Sequence, residues 1–260
     1  MKLRTVAASR YVTPLREGGS LPAIIEADDE GMYVLKFRGA GQGPKALIAE
    51  LLGAQIGRLL GLPVPEPVFV ELPDDMARTE PDPEISSLIK ASAGLNFALD
   101  YLPGSVTFDP LIFEVDAELA SAVVWFDAYL CNVDRSARNV NLLLWHRRLW
   151  LIDHGAALYF HHAWKQAEDH WSTPFARIRD HVLLKRASEL EAVDAKMRGL
   201  LRAPQLEKIV ASIPDSWLPD DSGFDNREAQ RDAYLKFFTL RAENSGNFLA
   251  EALRGRSSHL

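Results

Sequence analysis

Cysteine is almost absent from this 260-residue chain, which contains Cys131 alone. A single thiol excludes an internal disulfide and a thiolate-bound zinc cluster, and it favours a reducing compartment. Long apolar runs are also missing, since no stretch approaches the roughly 18 residues that a membrane-spanning helix requires. The apolar stretch Val6–Ala8 is too short for a secretory signal. We therefore expect a cytoplasmic protein without a transmembrane segment.

The chain has no excess of positive charge. It carries 29 Lys and Arg against 36 Asp and Glu, which gives a formal net charge of -7. A surface of this charge repels nucleic acid and anionic bilayers, so we expect no direct nucleic-acid partner. The contents of hydrophobic residues (47%) and charged residues (25%) are ordinary for a folded protein and exclude disorder and fibrous repeats. The length allows one large domain or two small ones.

Three common enzyme motifs are missing as well. The segment Gly39–Gly43 resembles a dinucleotide-binding turn, but the third glycine would fall at Pro44, and no repeated βαβ units follow. A P-loop requires Gly-Lys-Ser/Thr, whereas this chain has Pro44-Lys45-Ala46. No G-x-S-x-G elbow is found. The sequence therefore gives no support for a Rossmann dehydrogenase, a P-loop NTPase or an α/β-hydrolase.

The first hundred residues have the pattern of short strands around one helix. A polar turn at 28–31 separates two β-like runs, which predicts a hairpin. Apolar residues at helical spacing, followed by Gly61 and Pro63, predict a helix that ends near residue 60. The predicted elements are strands at 23–25 and 32–37, a helix at 44–60, a strand at 68–72, an acidic connection at 74–84 and a stretch joining two lobes at 91–101.

After residue 103 the pattern becomes mainly helical. Asp116 is the expected N-cap of a helix over 117–130. Two β-like runs at 140–145 and 149–152 flank the polar residues 146–148, which is the spacing of a hairpin. Further helices are predicted at 182–201, 203–212 and 226–253. We predict an α+β fold with a β-rich N-terminal lobe over 1–100 and a mainly helical C-terminal lobe over 101–260.

The chemistry is concentrated around this second hairpin. Asp134 and Asn139 precede its first strand, and Asp153 follows its second, so pairing of the strands would bring Asp153 near Asn139. Mg²⁺ prefers oxygen ligands, which Asn139 and Asp153 would supply. Asp134 would then be free to orient or deprotonate a hydroxyl, as in kinase-type phosphoryl transfer. The alternative is that each of these residues only caps a helix or builds a turn.

The segment resembles a known family. The pattern N-x-D-R-x-x-x-N, beginning at Asn132 and followed after the hairpin by I-D-H-G, is similar to the catalytic and metal-binding segments of HipA-like kinases and, more distantly, of phosphatidylinositol kinase-like enzymes. The resemblance implies a two-lobed protein-kinase-like fold and the use of ATP. It implies that Asp134 is the catalytic aspartate, and that Asn139 and Asp153 bind the metal.

The resemblance extends to the N-terminal lobe. Lys36 looks like the strand lysine that contacts the nucleotide phosphates in this family, and Glu50 is the candidate partner that holds it, although both residue types are also common surface charges. In the catalytic segment, Arg135 and Arg138 could each stabilise the charge of the transferred phosphate, or each could form a surface ion pair instead. Arg138 is the stronger candidate, because HipA-like loops have a basic residue just before the asparagine. A further candidate for the phosphate-covering loop is Gly18-Gly19-Ser20, which could equally be an ordinary turn. Ser20 is also a candidate for autophosphorylation.

The leading function is an ATP- and Mg²⁺-dependent kinase that transfers the γ-phosphoryl group to a hydroxyl, most plausibly of protein Ser or Thr. The alternatives are a small-molecule or lipid kinase with the same site, and a catalytically inactive nucleotide-binding module with a regulatory partner. Because the chain is acidic as a whole, we expect Lys36, Arg138 and bound Mg²⁺ to create a local positive site for the nucleotide.

Overall fold

The N-terminal part of the chain is built around a five-stranded β-barrel. A computed structural model describes residues 3–15, 21–41, 43–166, 170–218 and 223–258. The strand order is β1-β2-β3-β5-β4, with β1 parallel to β4 and the other neighbours antiparallel. The strands are β1 Thr5–Pro14, β2 Ala23–Ala27, β3 Met32–Lys36, β4 Pro67–Leu72 and β5 Gly94–Asp100.

Two helices and a 3-10 turn accompany the barrel. Helix α1 spans Pro44–Leu59, close to its prediction, and Gly61 follows it with a positive φ that suits glycine. The acidic connection predicted at 74–84 instead contains a 3-10 turn, Asp74–Thr79, and the first residues of helix α2, Pro83–Ala91. The Asp82 carboxylate accepts a hydrogen bond from the Glu84 N–H and caps α2.

The prediction of a lobe-joining stretch at 91–101 was wrong. Residues 94–100 form β5, which hydrogen-bonds to both β3 and β4 and so closes the barrel. Within β5 the side chains of Phe97 and Leu99 are buried in the core. Since residues 97–99 pair with strands on both sides, this part of the segment belongs to the wall of the barrel.

The C-terminal part consists of helices and a small sheet. Helix α3 begins after Asp116, whose carboxylate accepts hydrogen bonds from the N–H groups of Glu118 and Leu119, and the predicted cap is confirmed. The small sheet has the order β6-β7-β8. The elements are β6 Val106–Thr107, α3 Ala117–Leu130, β7 Leu142–Trp145, β8 Arg148–Leu151, α4 Leu190–Leu200, α5 Ala203–Ala211, α6 Arg227–Glu243 and α7 Gly246–Ser257.

Three boundaries differ from the predictions. The β7–β8 turn contains only His146 and Arg147, both with positive φ, because Trp145 pairs directly with Arg148. The helix predicted at 182–201 is shorter, since α4 starts only at Leu190 after a separate 3-10 turn. The helix predicted at 226–253 is two helices, α6 and α7. The Asn244 N–H still bonds to the Leu240 carbonyl, but the backbone of Asn244 (φ -107°, ψ 28°) is not helical, and α7 begins only at Gly246.

Two apolar cores hold the molecule together. One fills the barrel, and the other is larger and joins α1 and part of β5 to α3 and the C-terminal helices. The boundary predicted at residue 100 stays a prediction, because α1 shares its core with the helical part. Every helix in the described ranges is too short or too polar to cross a bilayer.

Candidate active site

A lysine and two carboxylates meet between the barrel and the helical part. Lys36 ends β3, Glu50 lies in the middle of α1, and Asp153 follows β8. The Lys36 Nζ lies 3.0 Å from the Glu50 Oε1 and 2.8 Å from the Asp153 Oδ1. Lys36 and Glu50 are buried, whereas the Asp153 side chain is 38% exposed. The structure therefore brings together three of the residues selected from the sequence and leaves Asp153 accessible to a ligand.

The environment gives the three groups different pKa values. Burial disfavours the charged form of Lys36, but Glu50 and Asp153 outweigh it and raise the pKa of the ammonium. Burial also opposes the charge on Asp153, yet the Lys36 ammonium holds the pKa of that carboxyl at about 2. Burial raises the pKa of Glu50 to about 7 despite the neighbouring lysine. Asp153 is thus ionised at neutral pH, as a metal-binding carboxylate must be.

Glu50 also fixes the D-H-G segment. Its Oε2 accepts a hydrogen bond of 2.9 Å from the backbone N–H of His154. The His154 ring is fully buried against Phe126, and burial lowers its pKa to about 3, so it packs as a neutral ring. A Cβ at Gly53 of α1 would lie 2.6 Å from the Cβ of His154. Glycine at position 53 is what lets the segment approach the helix.

The loop between α3 and β7 carries the predicted catalytic aspartate. Helix α3 ends at Cys131, whose left-handed backbone turns the chain into this loop. The Asn139 Nδ2 donates to the Asp134 Oδ2 at 2.7 Å, and the Asn141 Nδ2 donates to the Asp134 carbonyl at 3.2 Å. Burial raises the pKa of Asp134, and the charge of Asp153 adds to that shift. A partly buried carboxylate with a raised pKa suits a group that accepts a proton from a hydroxyl.

The hairpin returns Asp153 to this loop. Leu142 pairs with Leu151, and the Ile152 N–H donates to the Asn141 carbonyl at 3.2 Å. Asn141 and Asp153 both have positive φ, a conformation that is uncommon outside glycine and frequent at functional sites. The sequence pattern therefore anticipated the topology that brings these polar residues together.

The other predicted residues differ in their placement. Arg138 is exposed on the loop, where a ligand can reach it. Arg135 is not available for phosphate, because its fully buried guanidinium donates to the Asp127 Oδ2 at 2.6 Å and to the backbone carbonyls of Asn141 and Ile152. The candidates Gly18, Gly19 and Ser20 lie outside the described residues.

Sequence reasoning missed the groups that support the loop. Asp127 is fully buried in α3, and the imidazole of His181 lies 2.9 Å from it although 54 residues separate them. The only signal was a carboxylate inside a strongly apolar helix, where an unpaired charge is too costly to keep. Nothing in the sequence indicates His181 as its partner.

The side chains fit a divalent cation that shares its ligands with a nucleotide. Asn139 and Asp153 offer hard oxygen donors, which Mg²⁺ and Mn²⁺ prefer. In the described part of the chain, no three His, Cys, Asp or Glu side chains cluster in a way that could hold a metal ion. A site with so few protein ligands needs substrate phosphates to complete its coordination, as kinase metal sites do.

The barrel, the helical part and this site define a protein-kinase-like fold. The Helicobacter pylori proinflammatory kinase CtkA superposes with a TM-score of 0.52 at 13% identity, over 98% of this chain and 99% of its own. The Golgi casein kinase with Mn/ADP bound gives 0.52 at 11% identity, over 99% of this chain and 75% of its own. A model of the HipA-like kinase family matches residues 9–250, and the chain belongs to that family. No curated protein sequence matches the chain.

Proposed function

We propose that this HipA-like kinase transfers the γ-phosphoryl group of ATP to a hydroxyl of protein Ser or Thr, with Mg²⁺ as the metal. The observation that carries the proposal is a pair of neighbouring aspartates whose pKa values are shifted in opposite directions. Asp134 has a raised pKa and accepts from Asn139, while Asp153 is held ionised by Lys36. When the pKa values of two neighbouring carboxyl groups differ in this way, one group is suited to proton transfer and the other to binding positive charge.

Each side chain has a distinct role in this proposal. Asp134 orients the acceptor hydroxyl and takes its proton, and Asn139 holds the Asp134 carboxylate in place. Lys36, positioned by Glu50, contacts the nucleotide phosphates. Asn139 and Asp153 would hold Mg²⁺, which neutralises phosphate charge when bound. Arg138, which is exposed on the loop, would contact the transferred group.

Two further observations support the finer parts of the proposal. The structural neighbours include a casein kinase with Mn/ADP bound, which favours a protein acceptor and a divalent metal with a nucleotide. Cys131 is buried and is the only cysteine of the chain, which supports a reducing compartment such as the cytoplasm.

The test is transfer of radiolabelled γ-phosphate from ATP to Ser- and Thr-containing peptides, and to the protein itself. We expect Asp134→Asn to reduce kcat by roughly 10²- to 10⁴-fold, the usual contribution of a general base. Asp153→Asn should abolish transfer and weaken binding of ATP in the presence of Mg²⁺. Asp75→Asn is the matched control, because Asp75 is exposed on the 3-10 turn Asp74–Thr79, apart from the loop and hairpin that carry these residues.

Chelation by EDTA should stop transfer, and readdition of Mg²⁺ should restore it. Transfer that persists in both folded aspartate variants, or that is insensitive to EDTA, would contradict the proposal. If small alcohols or lipids were labelled and peptides were not, the proposed roles of the site residues would stand, but the acceptor would not be protein Ser or Thr.

A further inference from the structure

A buried carboxylate supports the loop that carries Asp134. Asp127 lies near the end of α3, is completely buried, and accepts hydrogen bonds from three side chains. Its donors are Asn132 Nδ2 at 2.9 Å, Arg135 Nε at 2.6 Å and His181 Nε2 at 2.9 Å. A carboxylate is retained in a protein interior only where hydrogen bonds and an opposite charge compensate its desolvation. Asp127 meets that condition through three residues that lie outside its own helix.

Two of the donors flank the catalytic aspartate. Asn132 and Arg135 stand on either side of the Val133–Asp134 dipeptide, and the Asn132 Oδ1 also accepts from the Asp134 N–H at 3.1 Å. The second arm of Arg135 donates to the carbonyl of Ile152, the residue before Asp153. Asp127 therefore holds the backbone on both sides of Asp134 and, through Arg135, the backbone that leads into Asp153.

The third donor comes from a distant segment. His181 forms an antiparallel β-bridge with Ser136, and the Val182 N–H donates to the Arg135 carbonyl at 3.2 Å. The His181 Nδ1 accepts from the backbone N–H of Leu183 at 3.0 Å. Because Nδ1 is an acceptor, the proton of the neutral ring is on Nε2, which donates it to Asp127. The tautomer is thus fixed by the backbone.

The two ends of the segment that follows the D-H-G element are therefore both fixed to the site. Glu50 holds its start through the His154 N–H, and Asp127 holds its end through His181. We propose that Asp127 and His181 are positioning residues, whose hydrogen bond fixes the segment around 181–183 against the catalytic loop and sets the placement of Asp134. The inference rests on the proposed function, since its main readout is phosphoryl transfer.

The test compares variants of His181 in the full-length protein. His181→Leu removes the hydrogen-bond donor to Asp127. His181→Gln keeps a donor, because the amide nitrogen of Gln is the same number of bonds from Cα as the Nε2 of His. Misplacement of a reacting group by about 1 Å costs about 10²-fold in rate. We expect His181→Leu and Asp127→Asn to lower kcat by roughly ten- to hundredfold, with the Kd of ATP unchanged. His181→Gln should recover most of the lost kcat.

A second histidine provides the matched control. His161 is also completely buried in the helical part, and its Nδ1 lies 3.0 Å from the hydroxyl of Tyr234. His161→Leu therefore imposes a comparable loss of buried polar contact outside the catalytic loop, and we expect its kcat to match that of the wild type. A wild-type kcat in folded His181→Leu, or an equal loss in the Leu and Gln variants, would overturn the inference.

A spectroscopic readout separates this inference from the proposed function. In the histidine-labelled wild-type protein, ¹⁵N NMR should show the His181 ring as the neutral Nε2–H tautomer with a slowly exchanging proton. This holds whether or not any acceptor is phosphorylated, and it remains measurable if a variant fails to fold. An Nδ1-protonated ring, or a rapidly exchanging ring proton, would overturn the inference, whereas an inactive wild type with the expected spectrum would count against the proposed function alone.

Discussion

At the scale of single residues, aspartates that lie close to one another differ in their pKa values. Asp134, Asp153 and Asp127 lie in one region, and their pKa values are shifted in different directions. Burial raises the pKa of Asp134, Lys36 lowers that of Asp153 to about 2, and Arg135 with His181 lowers that of Asp127 against the effect of its burial. One carboxylate is thereby suited to proton transfer, one to charge binding and one to support of the loop.

Asp127 predicts how stability depends on pH. In the unfolded chain the Asp127 carboxyl is protonated near the ordinary pKa of about 3.9. In the folded protein the charge of Arg135 and the hydrogen bond from the neutral His181 ring hold its pKa well below that value, against the effect of burial. Its contribution is therefore complete above about pH 4 and is lost as the pH falls towards the folded pKa. Asp127→Asn should lower the free energy of unfolding by about 3–5 kcal/mol at neutral pH, because Arg135 loses its counter-charge. It should also flatten the acid limb of the stability profile.

Urea unfolding between pH 3 and pH 7 measures both effects. Asp75→Asn, at an exposed position of the N-terminal part, should keep the wild-type slope. An acid limb in Asp127→Asn as steep as that of the wild type would show that other carboxylates govern acid unfolding.

Residue-level prediction from sequence succeeded where the contacts are local. Asp134 and Asn139 lie five residues apart in one loop, and a short hairpin returns Asp153 to them. It missed Asp127 and His181, whose contact spans 54 residues and depends on how α3 packs. Arg135 was misjudged for the same reason, because burial against Asp127 is invisible in the spacing of the loop. The roles assigned to the site residues stay predictions until they are tested by mutation.

At the scale of elements, α1 and the D-H-G segment form one docked unit. Glu50 accepts from the His154 N–H, and Gly53, one turn further along α1, leaves the space that the imidazole fills. A Cβ on Gly155 would likewise lie 3.2 Å from the Glu50 Oε1. Small residues in both α1 and the D-H-G segment thus set the distance between Glu50 and Asp153, the aspartate proposed to bind the metal.

Gly53→Ala tests this docking. The added Cβ would lie 2.6 Å from the His154 Cβ, so either the segment or α1 must move. Overpacking of this kind costs about 1–3 kcal/mol, partly offset by about 1 kcal/mol of helix propensity. We expect a net loss of stability in urea and a fall in kcat through displacement of Asp153.

Gly199→Ala in α4 is the control, since a Cβ there meets no described atom within 4 Å. It should stabilise the protein by up to about 1 kcal/mol and leave kcat unchanged. If the two alanine variants behaved alike, close packing at Gly53 would not be what positions the segment.

Elements with a clear local pattern were predicted well. The capped helix α3, helix α1 and both hairpins follow from N-cap residues, apolar spacing and polar turns, and the structure confirms them within a few residues. Strand β5 was misread as a connection because it is buried on both sides of the barrel and shows no alternation of polar and apolar residues. The continuous helix predicted at 226–253 failed because apolar spacing continues across the break between α6 and α7.

At the scale of the whole molecule, the charges around Lys36 bear on how the site binds a nucleotide. We expected Lys36 and Arg138 to form a local positive site with the metal. The Lys36 ammonium faces the ionised Asp153 and also Glu50, whose pKa of about 7 leaves it partly protonated at neutral pH, so these three groups have no net positive charge of their own. We therefore expect a divalent cation to supply most of the positive charge that attracts a polyanionic nucleotide, and the EDTA test checks this expectation.

The barrel and the helical part are joined by more than a single linker. Trp217, which is completely buried, donates its indole N–H to the Leu95 carbonyl of β5 at 3.1 Å and packs edge-on against Phe69 of β4. On the neighbouring face, the Gln55 Nε2 of α1 donates to the Ser212 Oγ at 2.6 Å. Since these contacts connect β4, β5 and α1 to the C-terminal region, we expect the two parts to unfold together.

Trp217→Ala tests that coupling. Removing a fully buried tryptophan should lower the free energy of unfolding by about 3–5 kcal/mol and speed amide hydrogen exchange in β4 and β5. Trp145→Ala is the matched control, because Trp145 also donates its indole N–H to a backbone carbonyl, that of Pro103, but is only partly buried. Its cost should be smaller, with no change of exchange in the barrel. An equal loss of unfolding free energy in the two variants, or amide exchange in β5 that Trp217→Ala does not change, would mean that the barrel is stable without the helical part. The core around α1 would then be the only connection between the two parts that the described contacts support.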